Sequence, residues 1–259
     1  MPRLTVVVPC YNEADRLDPA PLLAYVDAHA EASLVLVNDG STDATGALLD
    51  RIAAERPGRI RALHLTPNRG KAEAVRAGLR DALAAGAEIV GYLDADLSTP
   101  PAELDDLLAA LARPGVDVAI GARIGMLGYD IDRSAARHYL GRVFATAASL
   151  ILQARVYDTQ CGAKLFRAGP ALSDALATPF LSRWAFDVEF LGRLLIGTPT
   201  LPPLPLRAIV EVPLTVWHDV SGSKLGVGGM ARTLRDLALV ARDMAARRKA
   251  MRNRENPAS

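Results

Sequence analysis

The sequence predicts an α/β fold with a mainly parallel sheet flanked by helices. Short runs rich in β-branched residues recur at near-regular spacing, and Ala- and Leu-rich segments with helical periodicity lie between them. This alternation is typical of βαβ units, whose right-handed crossovers bring the carboxyl ends of the strands to one edge. The strand-like runs are 4–8, 33–37, 59–65, 88–93 and 117–120, and two clear helical segments are 71–85 and 102–112.

After Arg123 the regular alternation stops. Residues 133–155 predict a long helix, because apolar side chains recur on one face at helical spacing. That face comprises Leu140, Val143, Phe144, Ala147, Leu150 and Ile151. The further predicted elements are a strand-like end of segment 158–166, a helix opening at 183–191, a Pro-rich connection at 198–205, a strand at 207–212 and a loop at 217–224.

Length and composition indicate a soluble globular protein of one large domain or of a domain with an appendage. Of the 259 residues, 50% are hydrophobic and 23% are charged. The formal net charge is +1, but residues 231–259 hold eight Lys or Arg and three acids. We therefore divide the chain into a main domain, 1–229, and a basic amphipathic helix with a disordered tail, 230–259. A nucleic-acid partner is excluded, because nothing predicts a basic face on the main domain.

Cysteine usage and hydropathy place the protein in the cytoplasm. Cys10 and Cys161 form no CxxC pair, so zinc and redox motifs are absent. Two reduced, buried thiols are typical of a cytosolic protein. The amino terminus lacks the apolar core of a signal peptide, and no uncharged run approaches the roughly 18 apolar residues that span a bilayer.

Charged and polar side chains follow five consecutive predicted strands. The clusters are Pro9-Cys10-Tyr11-Asn12-Glu13, Asn38 to Asp43, Asn68-Arg69-Gly70-Lys71, Asp94-Ala95-Asp96 and Gly121-Ala122-Arg123. Since ligands of open α/β sheets bind at the carboxyl edge, these clusters predict one binding site. The first turn contains no G-x-G-x-x-G and the chain has no Walker loop, which argues against a dinucleotide oxidoreductase and against nucleotide hydrolysis.

The Asp94-Ala95-Asp96 stretch allows two interpretations. If the strand persists through Asp96, both carboxylates face one point, and a divalent cation bound with a phosphate would relieve their repulsion. Alternatively the aspartates cap Ser98, Thr99 and the helix beyond. Acids at three strand ends and bases at two match the needs of a metal-bound nucleoside diphosphate that carries a group to transfer.

The chain resembles family 2 glycosyltransferases of the GT-A fold, a Rossmann-like α/β fold, and most closely their dolichyl-phosphate β-glucosyltransferase branch. The resemblance covers roughly residues 4–240. The first four clusters above belong to the family broadly. Three further stretches are more specific to the polyprenyl-phosphate branch: Asp158-Thr159-Gln160-Cys161-Gly162 with Lys164-Leu165-Phe166, Arg183 to Glu189, and Gly222-Ser223-Lys224-Leu225.

The resemblance implies a nucleotide-sugar donor site with Mg²⁺ or Mn²⁺ as cofactor. It assigns Pro9, Tyr11, Glu13 and Asp39 to the base and ribose of the donor. Asp94, with Ala95 beside it, meets the ribose or the metal, and Asp96 binds the metal that neutralises the leaving diphosphate. Arg123 and Lys224 clamp phosphates. Lys71 is either a donor ligand or an ordinary salt-bridged residue at the start of a helix.

The resemblance also implies an inverting transfer of a hexose, foremost glucose from UDP-glucose, onto a polyprenyl phosphate. Asp158 and Asp187 are the candidate catalytic acids, and we expect Arg137 and Lys164 to contact the acceptor. A phosphate acceptor is already anionic near neutral pH and needs no base. We therefore expect Asp187 to orient Arg183 or Lys224.

Three rival functions stay open. One is a polyprenyl-phosphate mannosyltransferase that uses GDP-mannose. Another is a soluble sugar-to-sugar transferase, in which Asp187 would act as a base. The third is a nucleotide-sugar-binding subunit without turnover, although a binding module has no use for so many charged groups together.

Membrane attachment is predicted to be peripheral, at the inner face of the plasma membrane. In 230–259, Leu234, Leu237, Ala241 and Met244 follow helical spacing among arginines and a lysine. Helices of this kind lie on anionic leaflets. The apolar face near 140–151 offers a second membrane contact or, alternatively, packs into the core.

Overall fold

The computed structural model describes residues 2–131, 135–218 and 227–255, and the side chains of 2–131, 141–218 and 235–253. Nine strands occur within those ranges. They are β1 (Leu4–Cys10), β2 (Ala32–Asp39), β3 (Ile60–Leu65), β4 (Ile89–Leu93), β5 (Val118–Ala122), β6 (Asp130–Ile131), β7 (Ala163–Arg167), β8 (Ile209–Pro213) and β9 (Val216–Trp217). The five strands predicted from the first half of the sequence are all present, with boundaries shifted by one or two residues.

Seven of the strands form one twisted sheet in the order β3-β2-β1-β4-β7-β5-β8. Strand β7 runs antiparallel to β4 and β5, and the other neighbouring pairs are parallel. The mainly parallel sheet is therefore confirmed. Strands β6 and β9 form a separate two-stranded parallel sheet. The antiparallel β7 brings the polar segment that precedes it to the same edge as the carboxyl ends of β4 and β5.

Helices cover both faces of the sheet. They are α1 (Ala20–Ala28), α2 (Thr45–Glu55), α3 (Lys71–Ala84), α4 (Leu104–Leu111), α5 (Ala135–Leu152), α6 (Pro170–Ala175), α7 (Phe186–Ile196) and α8 (Val227–Glu255). The predicted helix 102–112 is a short 3₁₀ turn followed by α4. Helices α1, α2 and α4 pack on one face, and α3, α5, α6, α7 and α8 pack on the other.

The sheet is buried on both faces, which explains its nearly continuous apolar strands. In β1, Val6 and Val8 belong to the cluster under α1, α2 and α4. Val7 points the other way, into the cluster under α3 and α7. All three are fully buried. A rigid, doubly covered sheet fixes the positions of the loops that leave its carboxyl edge.

The C-terminal helix is part of the hydrophobic core. Helix α8 begins at Val227 and packs against α5 and α7. Its side chains Leu237, Val240 and Met244 are buried in the same cluster as the sheet residues. We therefore revise the expectation that this helix lays its apolar face on an anionic leaflet, because Leu237 and Met244 are already covered by protein.

The apolar face predicted for α5 is divided between core and solvent. Phe144, Ala147 and Ile151 pack against the core, as one of the two sequence interpretations required. Val143 and Leu150, two turns apart, are instead exposed. Leu140 lies among the residues whose side chains are not described. No helix in the described part of the chain is both long enough and apolar enough to cross a membrane.

Candidate active site

The loops after β1 and β2 are bound to each other by side chains. Asn12 adopts a left-handed backbone conformation, and its side-chain oxygen accepts a hydrogen bond from the Thr42 backbone N–H at 2.9 Å. The Glu13 backbone N–H donates to the Thr45 hydroxyl at 2.8 Å. Tyr11 is exposed at the rim, and Pro9 is half-buried at the end of its strand. Three residues expected to contact the base and ribose, Pro9, Tyr11 and Glu13, thus lie at the end of β1 and in the loop after it, which is hydrogen-bonded to the loop after β2.

Asp39 is buried at the end of β2 and organises the next loop along the edge. Its carboxylate accepts hydrogen bonds from the backbone N–H groups of Arg69 and Gly70, both at 2.8 Å, and from the Asn68 amide at 2.9 Å. These contacts hold the loop that leads into α3. Sequence reasoning assigned Asp39 to the donor's base or ribose. The structure gives it a role in positioning Gly70 and, through it, Lys71.

Lys71 is the first residue of α3, and its ammonium group lies 2.6 Å from Asp94 Oδ1. Burial acts to lower the pKa of Lys71, but attraction to Asp94, Asp187 and Asp96 outweighs it and raises that pKa above its ordinary value. Lys71 is thus paired with Asp94 and also attracted by the negative charges of Asp187 and Asp96. The preceding residue, Gly70, has φ 91°, a conformation that favours glycine and turns the chain into the helix.

The strand β4 ends at Leu93, so the two aspartates beyond it lie in a turn. Strand alternation therefore does not determine where these two carboxylates point, because the strand does not persist through Asp96. Asp96 Oδ1 instead accepts a hydrogen bond from the Ser98 backbone N–H at 3.0 Å, as in the capping interpretation. Asp94 faces Lys71. Ala95, which lies between the two aspartates in the sequence, is buried.

Gly162 allows the Asp94 carboxylate to lie against the backbone of the segment before β7. A Cβ atom at Gly162 would lie 2.4 Å from both Cγ and Oδ2 of Asp94, far closer than van der Waals contact. The Asp94 backbone N–H also donates to the Gly162 carbonyl at 3.1 Å. The absence of a side chain at Gly162 thus fixes where the Asp94 carboxylate can lie.

Asp187, near the start of α7, is buried in a polar cluster. Its carboxylate accepts hydrogen bonds from the Lys164 ammonium at 2.7 Å, the Gln160 amide at 3.4 Å and the Tyr92 hydroxyl. Lys164 also donates to the Cys161 carbonyl at 2.6 Å. Burial, followed by the negative charge of Asp187, raises the pKa of Tyr92 well above its ordinary value, so Tyr92 stays a neutral donor.

This cluster changes two expectations from the sequence. The cation held by Asp187 is Lys164, and not Arg183, whose aliphatic stem lies against Gly70. Lys164 is buried and already donates to two protein oxygens, so the expected contact between Lys164 and the acceptor does not fit the structure. The expectations for Lys224 and for the Arg137 side chain lie outside the described residues.

Asp158, in the segment before β7, forms a bidentate ion pair with Arg123, the residue after β5. Its two carboxylate oxygens accept hydrogen bonds from Arg123 Nε at 2.6 Å and from Arg123 Nη2 at 2.8 Å. Burial alone would lower the pKa of Arg123, but Asp158 raises it, so the guanidinium stays charged. It also lies 5.3 Å above the Trp217 ring. The structure thus joins a predicted catalytic acid to a predicted phosphate ligand.

Three residues of the site were missed by sequence reasoning. Glu211, in β8, accepts the backbone N–H groups of Tyr157 and Asp158 at 2.8 Å and so holds the loop that carries Asp158. Tyr92 and Gln160 complete the cluster around Asp187. A glutamate inside the otherwise apolar run 209–213 was the available signal for Glu211. Tyr92 gave none, because a tyrosine in a buried strand reads as core.

Comparison with known proteins agrees with this geometry. Residues 5–171 match the model of the family described as Glycosyl transferase family 2. The chain belongs to this family. It is a glycosyltransferase, and its sheet with flanking helices is the GT-A fold.

Two curated relatives cover most of the chain. The chain is 34% identical over 238 residues to a dolichyl-phosphate beta-glucosyltransferase of Drosophila melanogaster, covering 86% of this chain and 69% of the relative. It is 29% identical over 231 residues to a polyprenol monophosphomannose synthase of Mycolicibacterium smegmatis, covering 88% of this chain and 81% of that relative.

A solved structure supports the fold. Glucosyl-3-phosphoglycerate synthase from Mycobacterium tuberculosis, in complex with Mn²⁺, UDP-glucose and phosphoglyceric acid, superposes with a TM-score of 0.63. Its sequence identity is 19%, and the match covers 92% of this chain and 80% of that one. The match reaches well beyond residues 5–171, into the C-terminal part of the chain.

Because Gly162 leaves room for the Asp94 carboxylate, a side chain there should disturb catalysis more than stability. We expect Gly162→Ala to lower the transfer rate about a hundredfold, since a shift of about 1 Å in a site group has an effect of that size. The matched control is Gly169→Ala, where a Cβ meets nothing within 4 Å. Equal rates for the two variants, measured with intact fold by circular dichroism, would contradict the role of Gly162.

Proposed function

We propose that the protein is an inverting, metal-dependent transferase that moves a hexose from a nucleoside diphosphate onto a polyprenyl phosphate. The relatives named above support the acceptor, since one is a dolichyl-phosphate and the other a polyprenol enzyme. Glucose from UDP-glucose is the preferred donor. The dolichyl-phosphate glucosyltransferase of Drosophila melanogaster and the UDP-glucose complex of the solved neighbour support that choice.

The observation that carries the proposal is the buried pairing of Asp187 with Lys164. The side chains are 5% and 1% exposed, and the Tyr92 hydroxyl also donates to the carboxylate. A general base needs an open side towards the proton that it removes. Asp187 is instead surrounded by three protein donors, which suits an acceptor that brings its own anionic oxygen. A phosphate near neutral pH is such an acceptor, because its second pKa is about 6.

The residues at the end of β4 fit a divalent metal. Asp94 and Asp96 offer carboxylate oxygens, which Mg²⁺ and Mn²⁺ prefer. Asp94 Oδ1 is buried, and its partner among the residues that the structure describes is the Lys71 ammonium at 2.6 Å. No group of three or more His, Cys, Asp or Glu forms a metal cluster within those residues. Diphosphate oxygens and water would therefore supply the remaining ligands, and the metal would neutralise charge on the departing diphosphate.

Two cations at this edge, Arg123 and Lys71, support the binding of phosphate. Arg123 is held in position by Asp158, and a guanidinium bound on one side by a carboxylate keeps further N–H groups for a second anion. Lys71 is partly exposed beside Asp94. Positive charge at these points stabilises the negative charge that develops on the leaving diphosphate. On this basis Asp158 acts by orienting Arg123 and does not itself exchange a proton.

A mannosyl donor is the second candidate. The alignment with the polyprenol monophosphomannose synthase of Mycolicibacterium smegmatis covers 81% of that protein. The alignment with the Drosophila melanogaster glucosyltransferase covers 69% of that protein. The described residues that would surround the base are Pro9, Tyr11, Glu13 and the loop held by Asp39. They offer oxygen acceptors and an aromatic ring, which can serve uracil or guanine. The donor panel described below distinguishes the two sugars.

A loop beside the site offers an apolar surface to the lipid. Directly after Arg123, the side chains of Met126, Leu127 and Tyr129 are exposed, and Leu127 is fully so. Exposed apolar clusters at the rim of a site mark contact with a membrane or an apolar ligand. Because α8 buries its own apolar face, this loop is the better candidate for holding the enzyme at the membrane surface, peripherally and on the cytoplasmic side.

A panel of donors tests the proposal directly. Labelled UDP-glucose, UDP-galactose, UDP-N-acetylglucosamine and GDP-mannose are each incubated with polyprenyl phosphate and Mn²⁺, and the lipid is extracted into organic solvent. We expect label in the lipid from UDP-glucose, none with excess chelator, and none with the corresponding polyprenol, which lacks the phosphate. Label on the polyprenol, or transfer that persists in chelator, would contradict the proposal.

The exposed loop yields a second test. We expect Leu127→Asp to weaken binding to vesicles that contain polyprenyl phosphate about tenfold, since it places a charge against the apolar phase. Leu206→Asp is the matched control. Leu206 is 60% exposed and precedes β8, at the opposite edge of the sheet from Arg123. Sedimentation with vesicles measures both variants, and equal losses would remove the loop from the proposal.

A further inference from the structure

Lys71 and the proposed metal would compete for the same atom. The Lys71 ammonium lies 2.6 Å from Asp94 Oδ1, a buried carboxylate oxygen. A metal coordinated by that oxygen could not tolerate an ammonium at the same distance, because the two cations repel each other and occupy the same space. Lys71 therefore has to leave Asp94 when a metal binds there.

The surroundings of Lys71 permit such a movement. Its side chain is 40% exposed, and the flexible four-carbon stem rises from the first residue of α3. The displaced ammonium needs a new anion, because solvent alone would not replace the attraction of nearby carboxylates. The diphosphate of an arriving donor supplies that anion next to the metal.

We infer that Lys71 is an exchangeable counter-ion, which neutralises Asp94 in the free enzyme and transfers to the donor diphosphate when nucleotide and metal bind. The inference rests on the proposed function in taking the donor to be a nucleoside diphosphate with a divalent metal. Its consequence is that the free enzyme binds metal weakly and that metal and nucleotide enhance each other's binding. The enzyme thereby avoids holding a metal at Asp94 when no donor is present.

If Lys71 exchanges between Asp94 and the diphosphate, removal of its ammonium should change the affinities for Mn²⁺ and for nucleotide in opposite directions. In Lys71→Met, Asp94 is unpaired in the free enzyme, so Mn²⁺ should bind at least about tenfold more tightly without nucleotide. The same variant should bind UDP or GDP about tenfold more weakly without metal, because no ammonium remains to neutralise either Asp94 or the diphosphate. Electron paramagnetic resonance of free Mn²⁺ and titration calorimetry of UDP and GDP measure the two affinities without any turnover.

Two controls separate exchange from general effects of charge. Lys71→Arg keeps the positive charge and should stay close to the parent in both measurements. Arg61→Met removes the cation of another ion pair of α3, with Asp81 at 2.6 Å and similar exposure, and should change neither affinity. Thermal unfolding followed by circular dichroism verifies that each variant is folded.

A fixed salt bridge gives a different result. If Lys71→Met leaves Mn²⁺ binding unchanged or weaker in the absence of nucleotide, Lys71 is not displaced and the inference is overturned. If the parent enzyme binds neither UDP nor GDP even with Mn²⁺, the proposed function fails instead. The Mn²⁺ measurement on the variant decides the exchange in either case, because it requires no donor.

Discussion

The buried ion pair between Asp187 and Lys164 is the interaction on which the rest of the site depends. Lys164 comes from the antiparallel strand β7 and Asp187 from α7, so the pair joins the centre of the sheet to the helix layer above it. Burying two charges is costly unless their remaining hydrogen-bonding groups are satisfied. The Cys161 carbonyl, the Gln160 amide and the Tyr92 hydroxyl provide those contacts.

The segment 158–162 gains its position from this pair. Because Lys164 and Asp187 hold Cys161 and Gln160, the neighbouring Gly162 lies against Asp94, and Asp158 reaches Arg123. Glu211 fixes the same segment from β8. One buried pair thus sets the positions of the Asp94 carboxylate and, through Asp158, of the Arg123 guanidinium. Loss of either partner leaves an unpaired buried charge, which costs far more than an exposed one.

Much of this arrangement was predictable from the sequence. The alternation of β-branched runs with helical segments predicts the sheet, and the carboxyl edge of a parallel sheet predicts that Asp39, Lys71, Asp94 and Arg123 converge. The partners of these side chains were not predictable. Asp187 meets Lys164 only because β7 inserts antiparallel between β4 and β5, and the βαβ pattern contains no signal for such an insertion.

Two errors have a similar origin. Strand alternation failed at Asp94 because the position at which a strand ends is set by its neighbours, and β7 pairs with β4 only as far as Leu93. The amphipathic pattern of α8 is real, but the pattern does not state which surface covers its apolar face. In this fold α5 and α7 cover it. Local periodicity identifies a face to be buried, and only the tertiary structure identifies the partner.

The most direct test of the account is the transfer rate against pH for the parent, for Asp187→Asn and for the double variant Asp187→Asn with Lys164→Met. If Asp187 only holds Lys164, the double variant removes both charges together and should keep more of the parent rate than Asp187→Asn alone, which leaves Lys164 as an unpaired buried charge. If Asp187 is a base, both variants should lose about 10²–10⁴ in rate. All active forms should lose rate together below about pH 6, as the acceptor phosphate becomes protonated. A fall of a thousandfold or more in both variants, with fold and donor binding intact, would make Asp187 a base and the acceptor a hydroxyl group.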